Sequence, residues 1–169
     1  METFEAILKR RSIRRYKNKD ISEGQIKKLL EAAMAAPSAH NSQPWEFVVV
    51  KDKEMRGKLS KVHSYAWMCA EAPFVIVVCG NKDDLSWIED CSAASENMLV
   101  AAAEMGLGGC WIAARGTKYS GKDDGQVIAD ILGIPKKLAV LCMLSFGYPD
   151  EEKAPRTQYT EDKVHKERY

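Results

Sequence analysis

Arg10-Arg11-Ser12-Ile13-Arg14 places three guanidinium groups and a hydroxyl within five residues. A guanidinium is a planar fork of N–H donors that matches the oxygens of a phosphate or carboxylate, and a serine hydroxyl adds a further donor. The chemistry this stretch suits is capture of a dense anion. A solvated basic run closing a short helix has the same composition, because cations also favour the C-terminal end of the helix dipole.

Pro37-Ser38-Ala39-His40-Asn41-Ser42-Gln43-Pro44-Trp45 is the second dense feature. Two prolines restrict the backbone around a polar run of hydroxyls and amides, which suits a loop of fixed shape. A well-capped connection from helix to strand would look similar. Gly106-Leu107-Gly108-Gly109 is the third. Glycines let backbone N–H groups approach a flat ligand. The spacing matches neither the G-x-G-x-x-G dinucleotide fingerprint nor a phosphate loop ending in Gly-Lys-Ser. The cluster also ends a helix, where those motifs begin one.

No acid–base team assembles from the three histidines. His40 could face a ligand from the polar loop, whereas His63 and His165 read as surface residues. The carboxylate pairs Asp83-Asp84, Asp123-Asp124 and Glu151-Glu152 read as solvated helix starts or turns without metal-ligand spacing. The five cysteines, at 69, 79, 91, 110 and 142, include no Cys-x-x-Cys pair, so neither a metal nor a dithiol is expected. Anion binding and shaped loops without titrating catalysts point to chemistry carried by a cofactor.

The elements that must position these segments follow from periodicity. A short helix is expected over Thr3 to Lys9. Ser22 and Gln25 form a capping box ahead of Ile26, Leu29, Leu30, Ala33 and Met34, which share one helical face that Pro37 ends. Strands are expected over Glu46–Val50, Phe74–Cys79, Gly108–Ala113 and Leu138–Phe146. The β-branched run from Phe74 suits a strand buried on both faces. Helices are expected over Lys53–Val62, over an alanine-rich stretch from Asp90 to Met105, and over Val127–Leu132 with Gly133 at its C-cap. After Gly147 the chain turns polar and cannot bury much by itself.

At 169 residues, one domain of mixed α and β is expected, without repeats or an internal linker. Hydrophobic residues make up 46% and charged residues 29%, as in an ordinary globular protein. The 25 basic and 24 acidic residues nearly cancel, which argues against nucleic acid as the main partner. Neither a signal peptide nor a membrane-spanning run is apparent, so the cytoplasm is the expected compartment.

The ordered motifs Arg10–Arg14, Ala36–Trp45, Gly106–Trp111 and Phe146-Gly147-Tyr148-Pro149, with Arg156 in the tail, resemble a short member of the nitroreductase family of FMN-dependent oxidoreductases. The resemblance spans essentially the whole chain. It implies an α+β fold whose central, largely antiparallel sheet is flanked by helices. It also implies an intertwined homodimer, with FMN at the interface and a C-terminal arm, about 148–169, reaching across the partner. Arg10, Arg11 and Ser12 would hold the phosphate and ribityl end, and Arg156 would complete the clamp. Arg14 would approach the pyrimidine edge and raise the reduction potential by favouring the negatively charged reduced ring. From the partner, Pro37, Ser38, Asn41 and Gln43 would contact the ring and ribityl chain. Backbone at Leu107, Gly108 and Gly109 would lie near the reactive flavin nitrogen.

The activity implied is electron transfer from NADH or NADPH, through FMN, to a small electron-poor acceptor of nitroaromatic or quinone type. The alternatives are an FMN-binding carrier or sensor without nicotinamide turnover, and a specialised chemistry such as flavin fragmentation or dehalogenation. Two departures stand out. The interval from Val50 to Phe74 is short, which implies a more open pocket. Thr157-Gln158-Tyr159 replaces a more basic, proline-rich stretch, which makes Arg156 the least typical part of the clamp.

Overall fold

The computed structural model describes residues 2–119 and 121–169; Met1 and Ser120 lie outside the described residues. The elements in chain order are α1 (Thr3–Lys9), α2 (Glu23–Met34), β1 (Trp45–Val50), α3 (Lys53–Leu59), α4 (Met68–Glu71), β2 (Phe74–Asn81), α5 (Trp87–Glu104), β3 (Gly108–Ala113), α6 (Asp124–Leu132) and β4 (Leu138–Gly147). The four strands form one antiparallel sheet in the order β1-β2-β4-β3. The α+β expectation therefore holds.

Alternation along the central strands divides the core into two layers. Phe74, Ile76, Val78, Leu144 and Phe146 pack toward α2 and α5 on one face. Val75, Val77, Cys79 and Met143 pack toward α3, α4 and α6 on the other. A register shift between Val78 and Cys79 sets an irregularity in the β2–β4 pairing. All five cysteines are free and buried. Burial pushes the thiols of Cys69, Cys79 and Cys91 up to about 12, so they serve as small apolar side chains.

The capping box at Ser22 and Gln25 is formed in both directions. Of the expected apolar face of α2, Ile26, Leu29 and Ala33 are buried, whereas Met34 is 52% exposed. Gly133 takes the left-handed conformation that ends α6, with φ 68°. Helix α3 is shorter than periodicity suggested, because Ser60 caps it and the chain turns away before Val62. Helix α5 begins at Trp87, three residues ahead of the expected Asp90, after a turn in which Asp84 Oδ1 accepts from Ser86 N.

Beyond the four strands, the N-terminal segment extends the sheet. Ser12 bridges Gly109 in parallel and Tyr16 bridges Pro149 antiparallel. The Tyr16 hydroxyl donates to the Ile13 carbonyl at 2.6 Å and pairs with Ser145 Oγ at 2.8 Å. Burial drives that phenol far above its ordinary range, against the opposing effect of the Ser145 bond. A Cβ at Gly147 would meet the Tyr16 ring at 2.7 Å, so the glycine admits this staple. The basic pentapeptide is thereby fixed against the glycine turn.

Candidate functional site: an arginine-lined cavity and a strained loop

The stapling of residues 12–16 creates a cavity of about 370 Å³ beside β3. Arg10, Arg11 and Ile13 form one wall, Leu107, Gly108 and Gly109 another, and Leu99 and Ala103 of α5 the floor. Pro149, Glu151, Lys153 and Pro155 of the tail close the remaining side. Thus the structure brings together two of the sequence motifs and the start of the tail, although about a hundred residues separate the first from the others.

Its electrostatics show what the cavity lacks. The Nε atoms of Arg10, Arg11 and Arg156 are buried and have no hydrogen-bond partner. Arg10 Nε lies 2.8 Å from Glu96 Oε1 of α5, an ion pair without hydrogen-bond geometry. Arg11 Nη1 donates to the Ala154 carbonyl, and the Arg156 amide donates to the Leu8 carbonyl at 2.8 Å. Two buried guanidinium donors left open, on Arg11 and Arg156 at the junction of α1 and the tail, fit a bound oxyanion such as a phosphate, because a buried donor without a partner costs roughly 1–3 kcal/mol.

Arg14 departs from this group. Its side chain is exposed and lines a separate cavity on the other face of the β3 edge, together with Tyr65, Trp67 and Tyr119. Its backbone N–H donates to Glu151 Oε1 at 2.5 Å, and the Arg15 N–H donates to the same oxygen at 3.3 Å. Glu151 is therefore not the solvated turn residue its sequence context suggested. Burial raises its carboxyl, but those two amides together with nearby Lys153 outweigh burial and hold it below the ordinary range. Lys153 Nζ also donates to the Ser12 carbonyl at 2.6 Å.

Two further expectations are corrected. His63 is buried, because its Nδ1 accepts from the Tyr65 amide and its Nε2 pairs with the Ala113 carbonyl at 3.1 Å. A strand-edge carbonyl distant in sequence claims the ring. Asp124, read as a solvated helix start, is wholly buried at the first turn of α6, and one carboxylate oxygen accepts from the Tyr119 amide. Asp123 does cap that helix, as expected.

The glycine turn also does more for packing than its sequence suggested. A Cβ at Gly108 would meet Ile13 at 2.7 Å, and one at Gly109 would meet Leu99 at 2.7 Å and Phe146 at 2.8 Å. Both glycines are needed for the sheet edge to close on Ile13 and α5.

The loop of Pro37, Ser38, Asn41 and Gln43 lies elsewhere. His40, Asn41 and Gln43 adopt positive φ of 52°, 55° and 48°. Left-handed backbone outside glycine costs of order 1–3 kcal/mol per residue and collects at functional sites. Ser38 Oγ accepts from the Gln43 amide, and both carboxylate oxygens of buried Asp90 accept from the Ala39 amide at 3.2 Å. Asp90 thus ties the loop to the first turns of α5. The arginine cavity rests on Leu99 and Ala103 near the other end. Nine to thirteen residues of helix separate Asp90 from the cavity floor at Leu99 and Ala103, a rise of about 14–20 Å.

Sequence reasoning missed Asp90, Glu151, Lys153 and the Tyr65–Trp67–Tyr119 cluster. Only Glu151 and Lys153 carried a signal, being alternate charges just beyond the last strand. Among the described residues no group of histidine, cysteine or carboxylate side chains could hold a metal, and no helix is long and apolar enough to cross a membrane.

This four-stranded sheet with its flanking helices is the fold of known flavin-dependent oxidoreductases. The FMN-dependent nitroreductase of Clostridium difficile R20291 superposes with a TM-score of 0.94 at 36% identity, over 98% of this chain and 99% of that one. The NADPH:FMN oxidoreductase of Vibrio harveyi, solved in complex with NAD+, gives 0.83 at 29% identity, over 99% and 77%. An NADH dehydrogenase of Thermus thermophilus is 33% identical over 181 residues, covering 89% of this chain and 88% of that protein. The nitroreductase family model matches residues 7–67 and 62–148. The chain belongs to the nitroreductase family.

Proposed function

We propose that this protein is an FMN-dependent NAD(P)H oxidoreductase that passes electrons to an electron-poor acceptor of nitroaromatic or quinone type. The observation that carries the reading is the pair of buried, unpartnered guanidinium nitrogens on Arg11 and Arg156, with Arg10, ion-paired to Glu96, beside them. They are what a phosphate-bearing cofactor would satisfy, and they stand beside a cavity large enough for its ribityl chain. FMN, when bound, supplies two-electron chemistry that no side chain here provides.

The chain's own residues then have distinct tasks. Arg10, Arg11 and Arg156 bind the phosphate. Ser12, whose backbone is held between Gly109 and Lys153, would offer its hydroxyl to the ribityl chain. Arg14, whose side chain opens on the other face of the β3 edge, would supply fixed positive charge to a ring that reaches past that edge. Backbone at Leu107, Gly108 and Gly109 borders the ring without a titrating group. Because the strained loop is anchored about 14–20 Å along α5 from the floor of this cavity on the same chain, Pro37, Ser38, Asn41 and Gln43 are assigned to the site of a second copy. This arrangement supports a homodimer with two shared sites. The residues from 157 onward are exposed and make only local contacts among the described residues, as a cross-subunit arm would. The cytoplasm remains the expected compartment.

Purified protein reconstituted with FMN should be yellow, and its flavin absorbance should bleach on anaerobic addition of NADH or NADPH and recover with acceptor. A dimer that cannot be loaded with FMN would overturn the reading. A loaded dimer that neither nicotinamide bleaches would identify a carrier instead.

A further inference from the structure

We infer that Asp90 is a positioning residue for the flavin pocket. Its buried carboxylate fixes the turn that presents Ser38, Asn41 and Gln43 to FMN, and through them it governs how tightly the cofactor is held. This deepens the proposed function and rests on it for the identity of the ligand.

Asp90 is the fourth residue of α5 and is 7% exposed. A carboxylate taken out of water is costly unless its charge is held. No cation forms an ion pair with it among the described residues. Two features hold it instead. The positive end of an 18-residue helix lies at its backbone, and both of its oxygens accept from the Ala39 amide at 3.2 Å. Hydrogen bonds to an ionised acceptor are about twice as strong as those between neutral groups. A neutral side chain could have bridged helix and loop with a weaker bond, so the charge points to a demand for stiffness.

Ala39 is where that bond has the greatest effect. Its amide donates to Asp90, and its carbonyl accepts from the Ser42 amide at 3.0 Å. Both backbone groups are therefore fixed at the entry to a turn in which His40 and Asn41 hold φ of 52° and 55°. Left-handed backbone outside glycine persists only where the surroundings over-determine it. The other bonds of this turn are internal: Asn41 N donates to the Ser38 carbonyl, and Gln43 N to Ser38 Oγ. Such bonds shape the loop but do not aim it. The Pro44 carbonyl, which accepts from Asn81 N at 2.9 Å, ties down the far end. Among the described residues, Asp90 is the one side chain outside the loop that hydrogen-bonds to it, and it aims the end that carries Ser38 and Asn41. Binding groups aimed this way are pre-organised, so the cost of ordering them falls on folding rather than on cofactor binding.

The test compares wild-type protein with Asp90→Asn, which keeps the size of the side chain, and with Asp90→Ala. Hydrogen exchange of backbone amides is read in flavin-free protein. FMN binding is read by fluorescence titration, together with the visible circular dichroism of the bound flavin. In both variants the Ala39 and Gln43 amides should exchange faster, while the amides from Ala94 to Ala102 in α5 keep their protection. Each variant should bind FMN about tenfold more weakly, the loss expected for one charge-assisted hydrogen bond. Asp90→Asn should also alter the dichroic band. Unchanged FMN affinity and an unchanged band in Asp90→Asn would overturn the inference. Faster exchange along the whole of α5 would overturn it too, by making Asp90 a prop for the helix alone. Exchange in flavin-free protein keeps the two proposals apart. Loop amides released by the substitutions, in a protein that takes up no FMN, would sink the cofactor reading and leave Asp90 as the anchor of the loop.

Discussion

Arg11 and Arg14 are three residues apart, yet they face different cavities on opposite sides of the sheet edge. The pentapeptide thereby presents its arginines to two cavities, which the proposed function puts to two uses. Replacing Arg11 or Arg156 with alanine removes a buried charged donor to phosphate, and each change should weaken FMN binding by about tenfold or more, measured by fluorescence titration of the apoprotein. Arg14→Ala should leave FMN bound but lower its reduction potential, by about 30 mV if the charge is worth roughly 1.4 kcal/mol. Potentiometric titration reads this, and an unchanged potential would remove Arg14 from the ring. The clustering of arginine was plain in the sequence, whereas the division of labour was not, because it depends on which face of β3 each side chain reaches. His63 shows the same limit. Nothing local distinguishes it from a surface histidine; its burial comes from a carbonyl 50 residues away.

At the scale of elements, periodicity revealed the four strands and the capped helix α2, since each depends on neighbours within a few residues. It did not reveal the strap formed by residues 148–156, whose partners are the N-terminal segment. Asp150 N donates to the Arg15 carbonyl, Lys17 N to the Tyr148 carbonyl, and Glu151 accepts from Arg14 and Arg15. Glu151 titrates below its ordinary 4.5 in the folded protein. Its contribution is therefore complete above that value and is lost as pH falls through the lower folded value. Proteolysis within 150–156 should accelerate as pH drops from 5 toward 3, about the ordinary carboxylate range. Glu151→Gln should already show faster cleavage at neutral pH and a flatter acid response. Gly109→Ala should cost about 1–3 kcal/mol by overpacking against Leu99 and Phe146, read from urea denaturation. The glycines read as ligand-facing in the sequence because close approach of a backbone and close approach of a side chain demand the same residue.

For the whole molecule, the governing quantity is the length of α5, which holds the strained loop near one end and the arginine cavity near the other. Both proposed half-sites were legible as motifs, but their separation was not, because it requires knowing that one helix spans the distance between them. Deleting residues 149–169 should weaken both FMN retention and dimerisation, since it removes the strap and Arg156. Deleting only 159–169 should spare the strap and impair dimerisation alone, as read by sedimentation. The proposed assembly of the site from two chains also has a genetic consequence. A subunit carrying Arg11→Ala and one carrying Asn41→Ala are each defective as pure dimers, but pairing them gathers both lesions into one site. The other site then receives an intact arginine wall and an intact loop. Co-expression should therefore rescue flavin loading at one of the two sites in every mixed dimer, and two individually crippled alleles would complement each other.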